Sequence, residues 1–533
     1  MDRFLQVETL YIELLLVVTL VAIAVRRLRV PYTVALVVVG LLITFQDAAA
    51  VELTPELILA LFLPPLVFEA ALHLSLDELR RGLPAIVTLA VPGVLLTTLI
   101  VGGLLVLATP LAPGPAFVFG ALIAATDPVA VVALFRASGV PPRLSVLVEG
   151  ESLLNDGTAI VVFNVVLAAA LTGRFDPGAG VLDFVRVAAG GVLVGLALGW
   201  LAAQLIARVD DYLIETTLTT VLAFGAYLLA ERLHVSGVLA VVAAGLVNGN
   251  AGKRGMSPTS RLVLFTFWEY VAFLANSLVF LLIGLQVDVP ALLAAWQPVL
   301  WAGGAVLVAR VAVVYGLGWA VGRIVAPVPR RWQLVLVWGG LRGAVSLALA
   351  LSLPAALGPD RALLQVMALG VVLFTLLAQG TTMRPLLLRL GLVRRRSAAE
   401  ERYELRHARL TTLQAAIQRL DGLHRDGLLS AHTLEAVRGG LVEQAERTAA
   451  GVQESLRADP DLAAEERDTA EREALRAQRE TLDTLRRDGV ISDDVYQRLA
   501  VEIDAALAAE RLPQPESGAT PGRPDAGKDS GAG

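Results

Sequence analysis

Along most of the chain, apolar residues come in long blocks rather than in a strand-like or amphipathic alternation. Between residues 7 and 391 these blocks run to roughly 17–30 residues, the length an α-helix needs to cross a bilayer core. Broken at charges, prolines and glycines, they give about thirteen spans. These are 7–25, 31–46, 53–72, 84–108, 116–136, 145–172, 181–207, 213–230, 235–249, 262–285, 292–322, 332–354 and 363–390. From residue 394 onward the pattern changes to a helical one dense in Arg, Glu and Asp. The pattern predicts an all-α membrane protein with a soluble helical C-terminal tail. The expected units are a transmembrane domain over 1–393, a tail over 394–512 and a disordered end over 513–533, rich in Pro, Gly and Ser. The first block lacks a basic leader and a small-residue cleavage site, so it is expected to be retained as a span.

Composition agrees. The chain is 56% hydrophobic and 17% charged, against about 25% charged in a soluble protein. There is no cysteine, which excludes disulfides, thiol catalysis and Cys-based metal sites. The net charge of −5 does not suggest a nucleic-acid partner. Basic residues decide orientation. One alternating set of loops carries Arg26, Arg27 and Arg29, then Arg80 and Arg81, Arg136 and Arg143, Lys253, Arg254 and Arg261, and Arg330 and Arg331. The arginines at 394–396 fall on the same side, while the opposite loops carry scattered residues such as Arg3, Arg174, Arg232 and Arg361. By the positive-inside rule the rich set is cytoplasmic, which puts the N-terminus outside and the C-terminus inside and requires an odd number of spans.

Two internal patterns concern packing. Gly191, Gly195 and Gly199 recur at four-residue spacing, which lets helices approach closely. In the tail, LDGLHRDGLLS (420–430) matches LDTLRRDGVIS (482–492). Each copy reads as a helix, an Asp-Gly turn and a capping serine, Ser430 or Ser492, opening the next helix: a duplicated α-hairpin.

A charge at the centre of a membrane helix costs about 2.5–3.5 kcal/mol on translocon scales, so ionisable residues inside spans are candidates for function. Three groups stand out. In ATDPVAVV of the fifth span, Pro128 breaks the helical ladder after Thr126 and Asp127 and frees backbone carbonyls near 123–126. In LVEGESLLNDGTAIVVF of the sixth, Ser152 and Asp156 share one helical stripe with Glu149, and Glu151 and Asn155 lie on the adjacent one. In GGLRGAVSLALAL of the twelfth, Gly339, Gly340 and Gly343 surround Arg342, where a helix unwinds easily. Spans one to six and eight to thirteen then form two six-span halves of opposite topology, and the interrupted fifth and twelfth spans occupy matching positions. Such pairs of broken helices point to a transporter binding site.

The expected site is a monovalent cation held at Asp156, with Ser152 and the Thr126 region supplying neutral oxygens of the kind hard cations prefer. A buried guanidinium needs a carboxylate, so Arg342 is expected to pair with Glu151. Glu69, in LPPLVFEAAL, is either a boundary residue or a further group reaching the site. Glu215, Glu269 and Arg310 read as ion-paired or interfacial. His73 and His234, at span ends, read as solvated, and Glu149 has no assigned role. No P-loop, HExxH or GxSxG lies on a span, so neither ATP-driven transport nor a membrane-embedded hydrolase is expected, and the chain is not read as an enzyme.

Together these stretches, with YLLAERLHVSGVLAVVAAGL and NSLVFLLIGL, resemble the monovalent cation:proton antiporters of the NhaP and NHE type over residues 10–390. The resemblance implies a thirteen-helix, usually homodimeric antiporter without a cofactor, in the plasma (inner) membrane, in which a core domain moves against a dimer domain. Asp156 would be the ion- and proton-binding carboxylate. Ser152, Thr126 and Glu69 would be further ligands, Asp127 and Asn155 would shape the site, and Glu151 and Arg342 would form a structural ion pair. An Asn-Asp pair at 155–156 goes, in such proteins, with electroneutral exchange. The ion is expected to be Na⁺, with K⁺/H⁺ exchange the alternative and a cation channel the other open class. The tail has no such match.

Overall fold

The computed structural model describes residues 2–28, 31–44, 54–174, 176–209, 211–252, 256–322, 328–393 and 398–509. Among the loop arginines and lysines used above for orientation, Arg29, Lys253, Arg254 and 394–396 lie outside these residues, as does the 513–533 end. Two compact units form, Met1–Arg394 and Arg395–Gly533.

The described residues of the first unit are helices and connections, with no strand. In chain order the helices are α1 (Asp2–Leu28), α2 (Tyr32–Thr44), α3 (Leu63–His73, entered through a π-helical turn at Leu57–Phe62), α4 (Leu76–Ala90), α5 (Pro92–Ala108), α6 (Pro113–Leu122), α7 (Val129–Ser138), α8 (Pro142–Thr172) and α9 (Pro177–Ile206). After these come α10 (Tyr212–Arg232), α11 (Gly237–Asn250), α12 (Pro258–Leu285), α13 (Val289–Ala294), α14 (Trp296–Val321), α15 (Arg330–Trp338), α16 (Ala344–Leu351), α17 (Asp360–Phe374) and α18 (Thr381–Arg389). Among the described residues, seven continuous helical stretches are long and apolar enough to cross a membrane, and other apolar helices are shorter. Two of the expected spans are interrupted. The fifth is split into α6 and α7 by the non-helical stretch before Pro128, and the twelfth into α15 and α16 by 339–343.

The long helix α8 runs through the middle, packed on α4, α6 and α11. Proline in its first turn suits the helix start, and Gly173, at φ 66°, ends it in the left-handed conformation that glycine adopts without strain. Small residues set the closest approaches. Gly191, Gly195 and Gly199 of α9 lie directly against Ser236, which caps α11, and Ala240 and Ala244 within it, so the glycine ladder meets a matching ladder four residues apart. Gly40 of α2 and Gly284 of α12 meet in the same way.

The second unit holds α19 (Ala398–Arg425), α20 (Ala431–Ala458), α21 (Pro460–Arg487) and α22 (Asp493–Ala509). Gly427 and Gly489 take φ of 74° and 69° in the two Asp-Gly turns. Ser430 and Ser492 then accept hydrogen bonds from the backbone N–H of Thr433 and Val495. A small apolar core of Leu475, Leu482, Ala500 and Ile503 joins α21 to α22.

Candidate ion-binding site

The two interrupted spans cross, and their broken ends hold one another. The backbone N–H of Asp127 donates to the Leu341 carbonyl at 2.8 Å. Arg342 donates from Nη1 to the carbonyls of Ala124 and Ala125, both at 2.9 Å. The Asp127 carboxylate accepts from the N–H of Val129 at 3.0 Å and from the N–H of Ala344. A helix end leaves unsatisfied carbonyls with partial negative charge, and a helix start leaves N–H groups with partial positive charge. A cation therefore sits at the end of α6, and an anion at the starts of α7 and α16. The close fit requires glycine at 343, where a Cβ would collide with the Asp127 carboxylate.

α8 brings its polar residues to this crossing. Ser152 donates from Oγ to the Thr126 carbonyl at 2.6 Å. Asn155 donates from Nδ2 to Thr126 Oγ1 at 2.5 Å, and its Oδ1 accepts from the Thr126 N–H at 3.4 Å. All three polar groups of Thr126 are thus engaged by α8. Ser346 of α16 donates to the Ala125 carbonyl at 3.4 Å.

The expected pairing of Glu151 with Arg342 is not what forms. Glu151 is held by Arg310 of α14 through two parallel hydrogen bonds, Nη1 to Oε1 and Nη2 to Oε2 (the second at 2.9 Å). Arg310 also donates to the Leu336 carbonyl at the end of α15, from Nε at 3.1 Å and Nη2 at 2.9 Å. The planar fork of arginine suits such bidentate recognition. Arg342, 1% exposed, instead donates from Nη1 to the two carbonyls just past the end of α6, while its Nε is buried without a hydrogen-bond partner among the described residues. The signal for Arg310 was present in the sequence, since it is a charge inside an apolar run.

Asp156 follows Ser152 by one turn and faces a cavity of about 460 Å³. Among the described residues it accepts no hydrogen bond and pairs with no cation. Five carboxylates line that cavity, those of Glu69, Asp127, Glu149, Asp156 and Glu269, together with Ser152, Thr126, Asn276 and Ser346. Among the described lining residues there is no Lys, Arg or His. Low-dielectric walls with charge of one sign focus a field that concentrates cations. Glu69 belongs to this lining, and its Oε1 lies 3.1 Å from His73 Nδ1 on the next turn of α3. His73 also stacks edge-on against Phe265, so it is packed rather than free in solvent as expected from its place at a span end.

The site can therefore offer oxygen donors to a hard cation, or accept a proton at a carboxylate. Comparison with known proteins agrees with this chemistry. The family model described as "Sodium/hydrogen exchanger, transmembrane" matches residues 14–389. The chain is 42% identical to the Na⁺/H⁺ antiporter ApNhaP of Aphanothece halophytica over 399 residues, 74% of this chain and 76% of that one. It is 37% identical to the Na⁺/H⁺ antiporter NhaG of Bacillus atrophaeus over 491 residues, 89% of this chain and 92% of the other. Among solved structures, the sodium proton antiporter MjNhaP1 of Methanocaldococcus jannaschii superposes with a TM-score of 0.61 at 23% identity, covering 73% of this chain and 99% of that one; at this identity the likeness concerns the fold. On its motifs, its crossed helices and these relatives, the chain belongs to the transmembrane sodium/hydrogen exchanger family.

Proposed function

We propose that the protein is a secondary antiporter exchanging Na⁺ for H⁺, in which the two ions compete for Asp156. The observation that carries the reading is a carboxylate without a cationic or hydrogen-bonding partner among the described residues, placed on an acidic cavity where two broken helices cross. One negative charge there is neutralised by either a cation or a proton. If the empty charged site does not cross the membrane, that exclusivity is the coupling, and the site moves between the two sides by alternating access. Ser152, Thr126 and Glu69 complete the ligand set, through their oxygens or through water, while Asp127 and Asn155 shape it.

Exchange is electroneutral in this account. Asn155 serves as a donor to Thr126, a task no ionised carboxylate performs, and Asp127 is committed to the two helix starts. Asp156 is left as the group at the crossing that exchanges its charge partner. The wider architecture belongs to the same proposal: thirteen crossings in two inverted six-helix halves, an N-terminus outside, a cytoplasmic tail, and a homodimer in the plasma membrane serving pH homeostasis. The experiment is cation-driven proton movement in proteoliposomes, with Na⁺, Li⁺ and K⁺ across a pH series, alongside current recording in a planar membrane. The expected result is Na⁺-driven proton flux without current. A Na⁺-dependent current comparable with the flux contradicts electroneutrality, and flux driven by K⁺ but not Na⁺ contradicts the ion assignment.

A further inference from the structure

A second cavity, of about 650 Å³, lies between α4, α8, α9 and α11, a size typical of sites for small organic ligands. Its interior is apolar, walled by side chains such as Leu83, Leu154, Val192, Leu196, Leu239 and Leu246. Cavities with such walls stay dry and take apolar occupants. The polar lining residues gather at one end: Asp77 and Arg80 at the start of α4, and Asn250 at the end of α11. Asn250 is fully used by the backbone. Its Oδ1 accepts from Leu76 N–H at 2.9 Å, and its Nδ2 donates to the Leu74 and Leu246 carbonyls at 3.0 and 2.8 Å. Asp77 and Arg80 are both exposed, and neither makes a hydrogen bond or ion pair among the described residues. The mouth thus presents one free anion and one free cation a helical turn apart, above an apolar shaft.

That pattern fits a zwitterionic lipid headgroup better than an anionic one, because Asp77 repels a second negative charge while an ammonium satisfies it. A hydrogen-bonding ammonium fits better than a quaternary one for the same reason. We propose that this cavity binds a phospholipid of the phosphatidylethanolamine type, with its phosphate on Arg80, its ammonium on Asp77 and one acyl chain in the shaft. Leu153 of α8 lines both this cavity and the acidic one. The lipid chain therefore lies against the helix that carries Ser152, Asn155 and Asp156, one side chain away from the acidic cavity, and steadies that helix from behind. The inference rests on the chain's membership of a transmembrane family, not on the ion assignment to Asp156.

The test uses the full-length protein purified in detergent, with its unfolding temperature measured in added dioleoyl-phosphatidylethanolamine, -phosphatidylcholine or -phosphatidylglycerol. A ligand that binds only the folded state raises that temperature. Phosphatidylethanolamine is expected to raise it more than either other lipid. Arg80→Gln and Asp77→Asn, both exposed positions, are each expected to remove at least half of the difference, and Val192→Trp, which fills the shaft, to remove it with both charges in place. Lipid retained per protomer after gel filtration, read by mass spectrometry, gives the same comparison independently of unfolding and serves for any variant that folds poorly. Phosphatidylglycerol matching phosphatidylethanolamine, or a full phosphatidylethanolamine effect persisting in Val192→Trp or in both charge variants, overturns the proposal.

Discussion

Removing Arg310 is the sharpest structural perturbation available. Its side chain is 9% exposed and that of Glu151 3%, so the pair is screened from solvent on both sides. Arg310→Met leaves a buried carboxylate without its counter-charge, which costs about 3–5 kcal/mol. It also strips both donors from the Leu336 carbonyl, a loss of about 1–3 kcal/mol that overlaps with the first. At about 2 °C per kcal/mol, the charge term alone lowers the unfolding temperature by roughly 6–10 °C. The chain's 7 tryptophans allow this to be followed by intrinsic fluorescence in detergent. Adding Glu151→Gln removes the stranded charge, so the double variant is expected to recover most of the loss, with a coupling energy of at least about 2 kcal/mol in the double-mutant cycle. The same cycle between Glu151 and Arg342 is expected to give a clearly smaller coupling, because no ion pair or hydrogen bond joins them. A Glu151–Arg342 coupling equal to or above the Glu151–Arg310 value refutes the assignment.

Four further outcomes follow from the same geometry. Asn155→Asp replaces a donor to Thr126 with a group that cannot donate when ionised, and is expected to cost about 0.5–1.5 kcal/mol of stability and to slow exchange in proteoliposomes; exchange at the wild-type rate contradicts the role given to Asn155. Gly343→Ala pushes the Asp127 carboxylate off the start of α16 and is expected to reduce exchange by about tenfold, equivalent to about 1.4 kcal/mol, with folding retained on gel filtration. In the tail, Gly427→Ala and Gly489→Ala force left-handed φ on a residue with a Cβ, at about 1–2 kcal/mol each, read as faster hydrogen exchange at the two turns. Asp483 is held below the usual carboxylate range first by the Tyr496 hydroxyl and then by Arg479. Its contribution is present above the ordinary aspartate pKa of about 3.9 and is lost as pH falls through the depressed value, so Tyr496→Phe shifts the carboxyl titration, followed by NMR, to higher pH.

What could be read from the sequence was what local rules govern. Pro128 and the glycines at 339, 340 and 343 marked the interrupted helices, because a missing N–H or a missing Cβ acts where it stands. The Asp-Gly turns and the capping Ser430 and Ser492 marked the tail hairpins for the same reason. The four-residue spacing on α8 separated Ser152 and Asp156 from Glu151 and Asn155, but the structure cuts across that division: Ser152 and Asn155 both hold Thr126, Glu151 meets Arg310 and Asp156 faces the cavity. What could not be read was which distant helix meets which stripe. Arg310 lies 159 positions from Glu151, and no spacing rule links them. Arg342 drew the expectation because it lies in a broken helix at the expected site, yet in the structure its Nη1 donates to the carbonyls of Ala124 and Ala125. The packing of His73 on Glu69 and Phe265 was hidden likewise, since its place at a helix end suggested solvent.

The central claim is that a single carboxylate, Asp156, exchanges cation for proton, and the direct measurement is Na⁺-driven proton flux in proteoliposomes containing Asp156→Asn. Asparagine keeps the size and polarity of the side chain but neither carries charge nor takes up a proton in this range. The account predicts that Na⁺-driven flux falls to the level of protein-free vesicles while the variant still purifies as folded protein. Exchange at the wild-type rate would show that the coupling carboxylate lies elsewhere.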